Sequence, residues 1–306
     1  MNTMSAMNQD RQPLVLETPQ MARAWSREVR RSGRTLALVP TMGALHAGHR
    51  FLLQEARSSA DVVVASIFVN PAQFGAGEDF AQYPRPLEAD LDACAAEGAD
   101  AVYVPAAGSL YAGDHSTWVV EDSLADVLEG RRRPGHFRGV LTVVLKLFSA
   151  VEPDVAVFGQ KDAQQALLIR RMVRDLDLAV AIHVAATVRD SDGLALSSRN
   201  AYLDAQHRRQ APVLWQALCA CRKALEEGED DPARVRAAGL GVLDAAAGLD
   251  LDYLEAVDLD TLSTPLRQGR PVLVAGAIRL GKTRLIDNII YPPDALRAPT
   301  DGVSAS

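Results

Sequence analysis

Three polar segments carry the residues best suited to handling a phosphorylated ligand. The first, PTMGALHAGH at 40–49, follows an apolar run and leads into a helix-compatible stretch at 50–58. A helix N-terminus placed after a strand offers unpaired backbone N–H groups and partial positive charge to an anion. Gly43 and Gly48 let the backbone come close to such a ligand. His46 and His49, at i and i+3, could donate hydrogen bonds to phosphate oxygens as charge builds at phosphorus. Taken alone, the pair fits equally well as two solvated imidazoles or as half of a metal site. A zinc site would want a third ligand, and no His-Glu-x-x-His pattern supplies one.

The second segment, FGQKDAQQ at 158–165, places Lys161 at an expected helix N-terminus. The helix macrodipole disfavours a cation there, so the lysine either serves an anionic ligand or is simply solvated. The third, VRDSDGLALSSRN at 188–200, offers two hydroxyls and a guanidinium that suit a phosphate-gripping loop, or else a polar linker. Gln73, in FVNPAQF at 68–74, and Gln165 are neutral amides that could hold hydroxyls or a carboxylate without quenching its nucleophilicity. The basic run 131–133, followed by PGHFRG, could line a phosphate entrance or form an exposed loop.

One further match is set aside. GAIRLGKT at 276–283 has the G-x-x-x-x-G-K-[ST] spacing of a P-loop, but AIRL continues an apolar run, and the 23 residues that follow contain Pro292-Pro293. Gly281-Lys282 therefore reads as the turn of a β-hairpin.

These segments need a scaffold. Apolar, β-branched runs at 35–39, 62–69, 101–104, 155–158 and 179–185 alternate with helical stretches at 86–97, 140–151 and 162–176. Thr18-Pro19 and Gly33 punctuate an earlier helix. The alternation predicts an α/β fold with a doubly wound parallel sheet. Beyond residue 200 the pattern changes to helices over 205–227 and 232–247, then strands at 251–257, 271–280 and 283–290, a second and smaller α+β domain. The expected division is 13–189 and 190–291, with tails at 1–12 and 292–306.

Composition narrows the classes. The 306 residues are 48% hydrophobic and 23% charged, which excludes bulk disorder, and no apolar run is long enough to span a membrane. A formal net charge of -7 argues against an extended nucleic-acid surface, so an anionic ligand must be held by a few placed groups. The N-terminus has no secretory pattern, and the cytoplasm is the expected location. Cys94, Cys219 and Cys221 follow no disulfide or zinc spacing and read as packed, reduced thiols.

Together, PTMGALHAGH, FVNPAQF, HFRGVLTVV, FGQKDAQQ and GLALSSRN, in this order, resemble the pantoate–β-alanine ligase family. The resemblance implies a Rossmann-like fold of the His-x-Gly-His nucleotidyltransferase type, ATP and Mg2+ as cofactors, pantoate and β-alanine as substrates, and a homodimer. It assigns ATP contacts to Met42, Gly43, Ala44, Leu45, His46, Ala47, Gly48, His49, Gly159, Gln160, Lys161, Asp162, Val188, Leu196, Ser197, Ser198 and Arg199. It makes His49 the catalytic proton donor, adds His46 and Lys161 to the catalytic group, and gives Gln73 and Gln165 to substrate. Asp90 and Asp162 are candidate metal ligands. Gln160 and Leu196 stand where the family commonly has Glu and Met. The alternatives are another His-x-Gly-His nucleotidyltransferase, acting on phosphopantetheine or a mononucleotide, and a non-catalytic nucleotide sensor.

Overall fold

The computed structural model describes residues 12–246 and 248–296; the expected tail residues 1–11 and 297–306, and residue 247 at the end of an expected helix, lie outside them. Strands β1 (Leu14–Leu16), β2 (Leu36–Thr41), β3 (Val62–Ile67), β4 (Ala101–Tyr103), β5 (Val155–Gly159) and β6 (Ala181–Ala185) pair in parallel in the order β1-β4-β3-β2-β5-β6. Helices α1 (Pro19–Arg31), α2 (Ala47–Ser59), α3 (Leu87–Ala96), α4 (Ala107–Leu110), α5 (Leu128–Arg132), α6 (His136–Val151) and α7 (Ala163–Asp175) connect them. Alternate residues of each strand face opposite layers. Leu36 and Leu38 join α1, α6 and α7 in one buried cluster, while Ala37 and Val39 join α2 and α3 in another.

The expected doubly wound sheet is present, with an addition: β1 pairs at the edge against β4, and three residues were too short a run to stand out. From β2 the chain winds outward through β3 and β4, then returns to the other side of β2 with β5 and β6. The order reverses between β2 and β5, and ligands of such sheets bind at the C-terminal ends of the strands flanking that reversal. The segments carrying the histidines and Lys161 leave those two ends.

Helices α8 (Ala205–Gln210), α9 (Val213–Glu226) and α10 (Pro232–Asp244) precede an antiparallel sheet of β7 (Asp250–Asp258), β8 (Val272–Leu280) and β9 (Thr283–Tyr291). The stretch read as one helix over 205–227 is divided at Ala211-Pro212, where proline cannot continue the first helix. This sheet is covered on both faces. Val272, Val274, Ile278 and Leu280 pack with α9 and α10, whereas Leu273, Ala275 and Ala277 face the core of the parallel sheet. Burial on both sides explains why β8 reads as an uninterrupted apolar run. Leu280 sits opposite Thr283, so Gly281-Lys282 is the hairpin turn expected of it. Leu296, in the stretch expected as a tail, is 1% exposed and joins the larger core.

Candidate active site

The loop leaving β2 is shaped by backbone capture. Gly43 has φ 83°, and a Cβ there would lie 2.8 Å from Oδ2 of Asp90. The Asp90 carboxylate, 2% exposed, accepts the N–H groups of Ala44 (2.9 Å) and Leu45 (2.7 Å). Both its oxygens are thus spent on the chain, and Asp90 acts as a brace for the loop.

The helix expected at 50–58 begins earlier, at Ala47, with His46 as its N-cap. The two imidazoles cap it reciprocally. The Gly48 N–H donates to Nδ1 of His46 (3.1 Å), and the His46 N–H donates to Nδ1 of His49 (3.4 Å). Because each Nδ1 accepts, the ring proton of each neutral histidine sits on Nε2 and is free to donate to a ligand. Gly48 is required by contact: a Cβ would lie 2.9 Å from Cε1 of His46. Burial, then the neighbouring positive charge of Lys161, lowers His46 to about 4. Burial, His46 and Lys161 lower His49 to about 3. At neutral pH both are hydrogen-bond donors without a formal charge.

Across the β2–β5 crevice, Lys161 lies in a 3-10 turn, Gln160–Asp162, ahead of α7 rather than on the helix end itself. Its Nζ is 3.9 Å from Asp162 Oδ1. Asn288 of β9 donates to the carbonyl oxygens of Gln160 (3.0 Å) and Lys161 (2.8 Å), so the second sheet holds the turn.

On the far wall, the Asn70 amide donates to Oε1 of Gln73 (3.1 Å) and to the Gly139 carbonyl (3.1 Å), while the Gln73 carbonyl accepts from Nδ1 of His136 (2.8 Å). α6 begins at His136, earlier than the expected 140, and approaches so closely that a Cβ on Gly139 would lie 2.2 Å from the Ala72 carbonyl oxygen. Burial and Arg133 lower His136 to about 4, consistent with its Nε2 facing an Arg133 N–H at 3.0 Å.

These walls enclose a cavity of about 230 Å³. Met42, His46, Gly48 and His49 line it from the first segment, Gly159, Lys161, Asp162 and Gln165 from the second, and Val188 with Leu196, Ser197, Ser198 and Arg199 from the third; Gln73 faces them. Gly43, Ala44, Leu45, Ala47 and Gln160 do not reach the wall. Gln160 is buried and points its amide at Asn288. Arg199, expected to grip phosphate, here pairs with Asp79 (3.1 Å). Arg133 pairs with Glu78 (2.7 Å) and Arg132 with Asp252 (3.0 Å), so two members of the basic run are structural ties.

The sequence reading missed the apolar wall formed by Val140, Val143, Val144, Leu147 and Phe158, although the spacing on α6 is visible in HFRGVLTVV. It also missed Asn288 and the two carboxylates of Glu78 and Asp79, whose partners are distant in the chain. Thr187 lines the cavity with a buried hydroxyl for which no protein hydrogen-bond partner is found among the described residues. Among the described residues no cluster of three or more His, Cys, Asp or Glu could hold a metal, and no helix is long and apolar enough to cross a membrane. Cys94 and Cys221 are buried and all three thiols are free.

Residues 14–290 match the family model described as pantoate-beta-alanine ligase. The chain is 48% identical over 276 residues to a pantothenate synthetase of Heliobacterium modesticaldum, covering 90% of this chain and 98% of the relative. To that of Desulfovibrio desulfuricans it is 50% identical over 277 residues, with the same coverage. Among solved structures, pantothenate synthetase from Thermus thermophilus superposes with a TM-score of 0.82 at 43% identity, covering 90% of this chain and 98% of the other. The Francisella tularensis pantoate-beta-alanine ligase, complexed with beta-gamma ATP and beta-alanine, gives 0.73 at 30% identity, with 92% and 98% covered.

Proposed function

The chain belongs to the pantoate–β-alanine ligase family, and from that premise we propose how its residues condense pantoate with β-alanine at the expense of ATP. The carboxylate of pantoate attacks the α-phosphorus, the bond to the pyrophosphate oxygen breaks, and a pantoyl adenylate results. The amine of β-alanine then attacks the acyl carbon, expelling AMP and leaving the amide of pantothenate. The single observation that carries this reading is the convergence of His46, His49, Lys161 and the Ser197–Arg199 turn with Gln73 and Gln165 on one cavity at the sheet's reversal point.

Each group has a physical task. The Nε2–H groups of His46 and His49 donate to phosphate oxygens, and Lys161 supplies full positive charge where the transition state gains negative charge. Gln73, fixed by Asn70, and Gln165 orient the pantoate carboxylate and hydroxyls. The α6 apolar wall takes the dimethyl carbon of pantoate and keeps water from the mixed anhydride. Thr187 offers its unpaired hydroxyl to the nucleotide. His49 enters as a neutral donor through its Nε2–H, the form in which it would fill the proton-donor role that the resemblance implies.

For Mg2+ the donor set fits a shared site: magnesium is commonly held by one or two carboxylates plus substrate phosphates. Asp162, exposed beside Lys161, is the available carboxylate, whereas Asp90 is consumed by backbone amides. When bound, the ion would neutralise charge on the phosphates. Family resemblance further supports a homodimer, the N-terminal pattern a cytoplasmic location, and the change in hydrophobic pattern beyond residue 200 a division into 13–189 and 190–291.

The test is ATP–pyrophosphate exchange with pantoate present and β-alanine omitted. Pantoate-dependent exchange supports a separate adenylation step, and pantothenate should then form on adding β-alanine. Exchange driven by phosphopantetheine or a mononucleotide instead would replace this reading with that of an adenylyltransferase.

A further inference from the structure

The β8–β9 turn is held in place. Gly281 has φ 57°, and a Cβ on it would lie 2.9 Å from Cε1 of His207, so the turn rests on the α8 imidazole. Beneath it opens a second cavity, of about 790 Å³. The two cavities meet at Arg133, Lys161, Asp162, Ser197 and Arg199. Gln73, Gln165 and both histidines line the first and not the second.

Most charges around the second cavity are already matched. Arg284 lies against Glu129 (2.8 Å) and Asp252 (2.7 Å), Arg132 against Asp252, Arg133 against Glu78, Arg199 against Asp79, and Asp287 against Arg189 (2.5 Å). Among the described residues, Arg279 and Lys282 are the wall cations for which no carboxylate partner is found. Arg279 stands between Asp250 on β7 and Arg284 on β9, and no ion pair closes with that carboxylate. Two cations without an ion pair, one near the end of β8 and one on the turn, lining a cavity continuous with Lys161, make a receptor for a multiply charged anion.

Resting on the ligase reading above, we propose that Arg279 and Lys282 bind the β- and γ-phosphates of ATP and hold pyrophosphate as it departs. Displacement at phosphorus is in line, so the leaving group must point away from the attacking carboxylate. The carboxylate-orienting amides lie in the first cavity only. The pyrophosphate therefore extends through the shared wall of Lys161, Ser197 and Arg199 into the second, where these two side chains meet it.

The experiment measures how pantoate-dependent ATP–pyrophosphate exchange varies with pyrophosphate concentration in Lys282→Ala, Arg279→Ala and the double variant. Half-saturation by pyrophosphate should rise roughly fivefold for each single change, the scale of a solvent-exposed charge contact, and further for both, while the KM for pantoate stays unchanged. Unaltered pyrophosphate dependence in a folded double variant overturns the assignment, as does an equal rise in the KM for pantoate. If the wild-type protein shows no pantoate-dependent exchange, the ligase reading fails instead. Calorimetric titration of pyrophosphate into wild type and the double variant then decides the subsite: equal affinity, or no binding to either, refutes it.

Discussion

Asn288, on the last strand of the antiparallel sheet, donates its side-chain amide to the backbone carbonyl of Lys161, at 2.8 Å, across 127 positions of sequence. The turn that carries Lys161 is thus held by a group in the other sheet, 3% exposed and bonded to Gln160 as well. Removing the amide leaves two buried carbonyl oxygens without this donor, a cost of about 1–3 kcal/mol. Asn288→Ala should therefore lower the urea midpoint and reduce kcat more than it raises the KM for pantoate. A kcat equal to wild type would show that Lys161 is positioned without it.

Lys161 supplies formal charge that the neutral histidines do not. Lys161→Ala should reduce the rate of pantoate-dependent exchange by roughly 10²–10³, the usual loss for one transition-state contact. Circular dichroism should be unchanged, because the side chain makes no close ion pair, its nearest carboxylate oxygen lying at 3.9 Å. Wild-type exchange would remove it from the chemistry.

The buried imidazoles make stability depend on pH with a definite sign. His49 titrates at about 3 folded and near 6.5 unfolded, and His46 and His136 at about 4 folded. Between those values the unfolded chain binds more protons, so the stability present above pH 6.5 is eroded as pH falls toward 3. His49 alone accounts for on the order of 2 kcal/mol at pH 5. Urea midpoints at pH 7 and 5 should fall more for the wild type than for His49→Asn. The acid limb of kcat/KM should also lie below pH 6, and an inflection at 6.5 assigned to His49 by its loss in His49→Asn would contradict the neutral-donor role.

Gly48→Ala tests the reciprocal cap. The added methyl meets the His46 ring at 2.9–3.0 Å, so the imidazole must swing out of its capping position. The expected result is a folded protein whose KM for ATP rises about tenfold or more, since a charge-assisted contact to phosphate is lost with the ring position. An unchanged KM would mean that the ring angle does not matter to nucleotide binding.

Much of the frame was legible in the chain because it is locally encoded. Thr18 caps α1 through the Met21 N–H with Pro19 in the first turn, and β2 and β3 lie within one or two residues of their expected bounds. The HAGH segment announces its helix through local spacing, although its start shifted because a histidine served as cap, a role more often filled by Ser, Thr, Asp or Asn. β1 escaped notice because its stability comes from pairing with β4, 87 positions away, and not from its own three residues.

By itself the sequence determined the alternation of strands and helices, the hairpin at Gly281-Lys282, and which residue types lie at strand ends, since each depends on periodicity or on turn chemistry within a few positions. Only the tertiary structure decided that Asp90 braces the loop, that Arg199 pairs with Asp79, and that Asn288 holds the Lys161 turn. Those outcomes join residues tens to more than a hundred positions apart. Burial, not local pattern, sets both the strength of such contacts and the protonation of the histidines beside them.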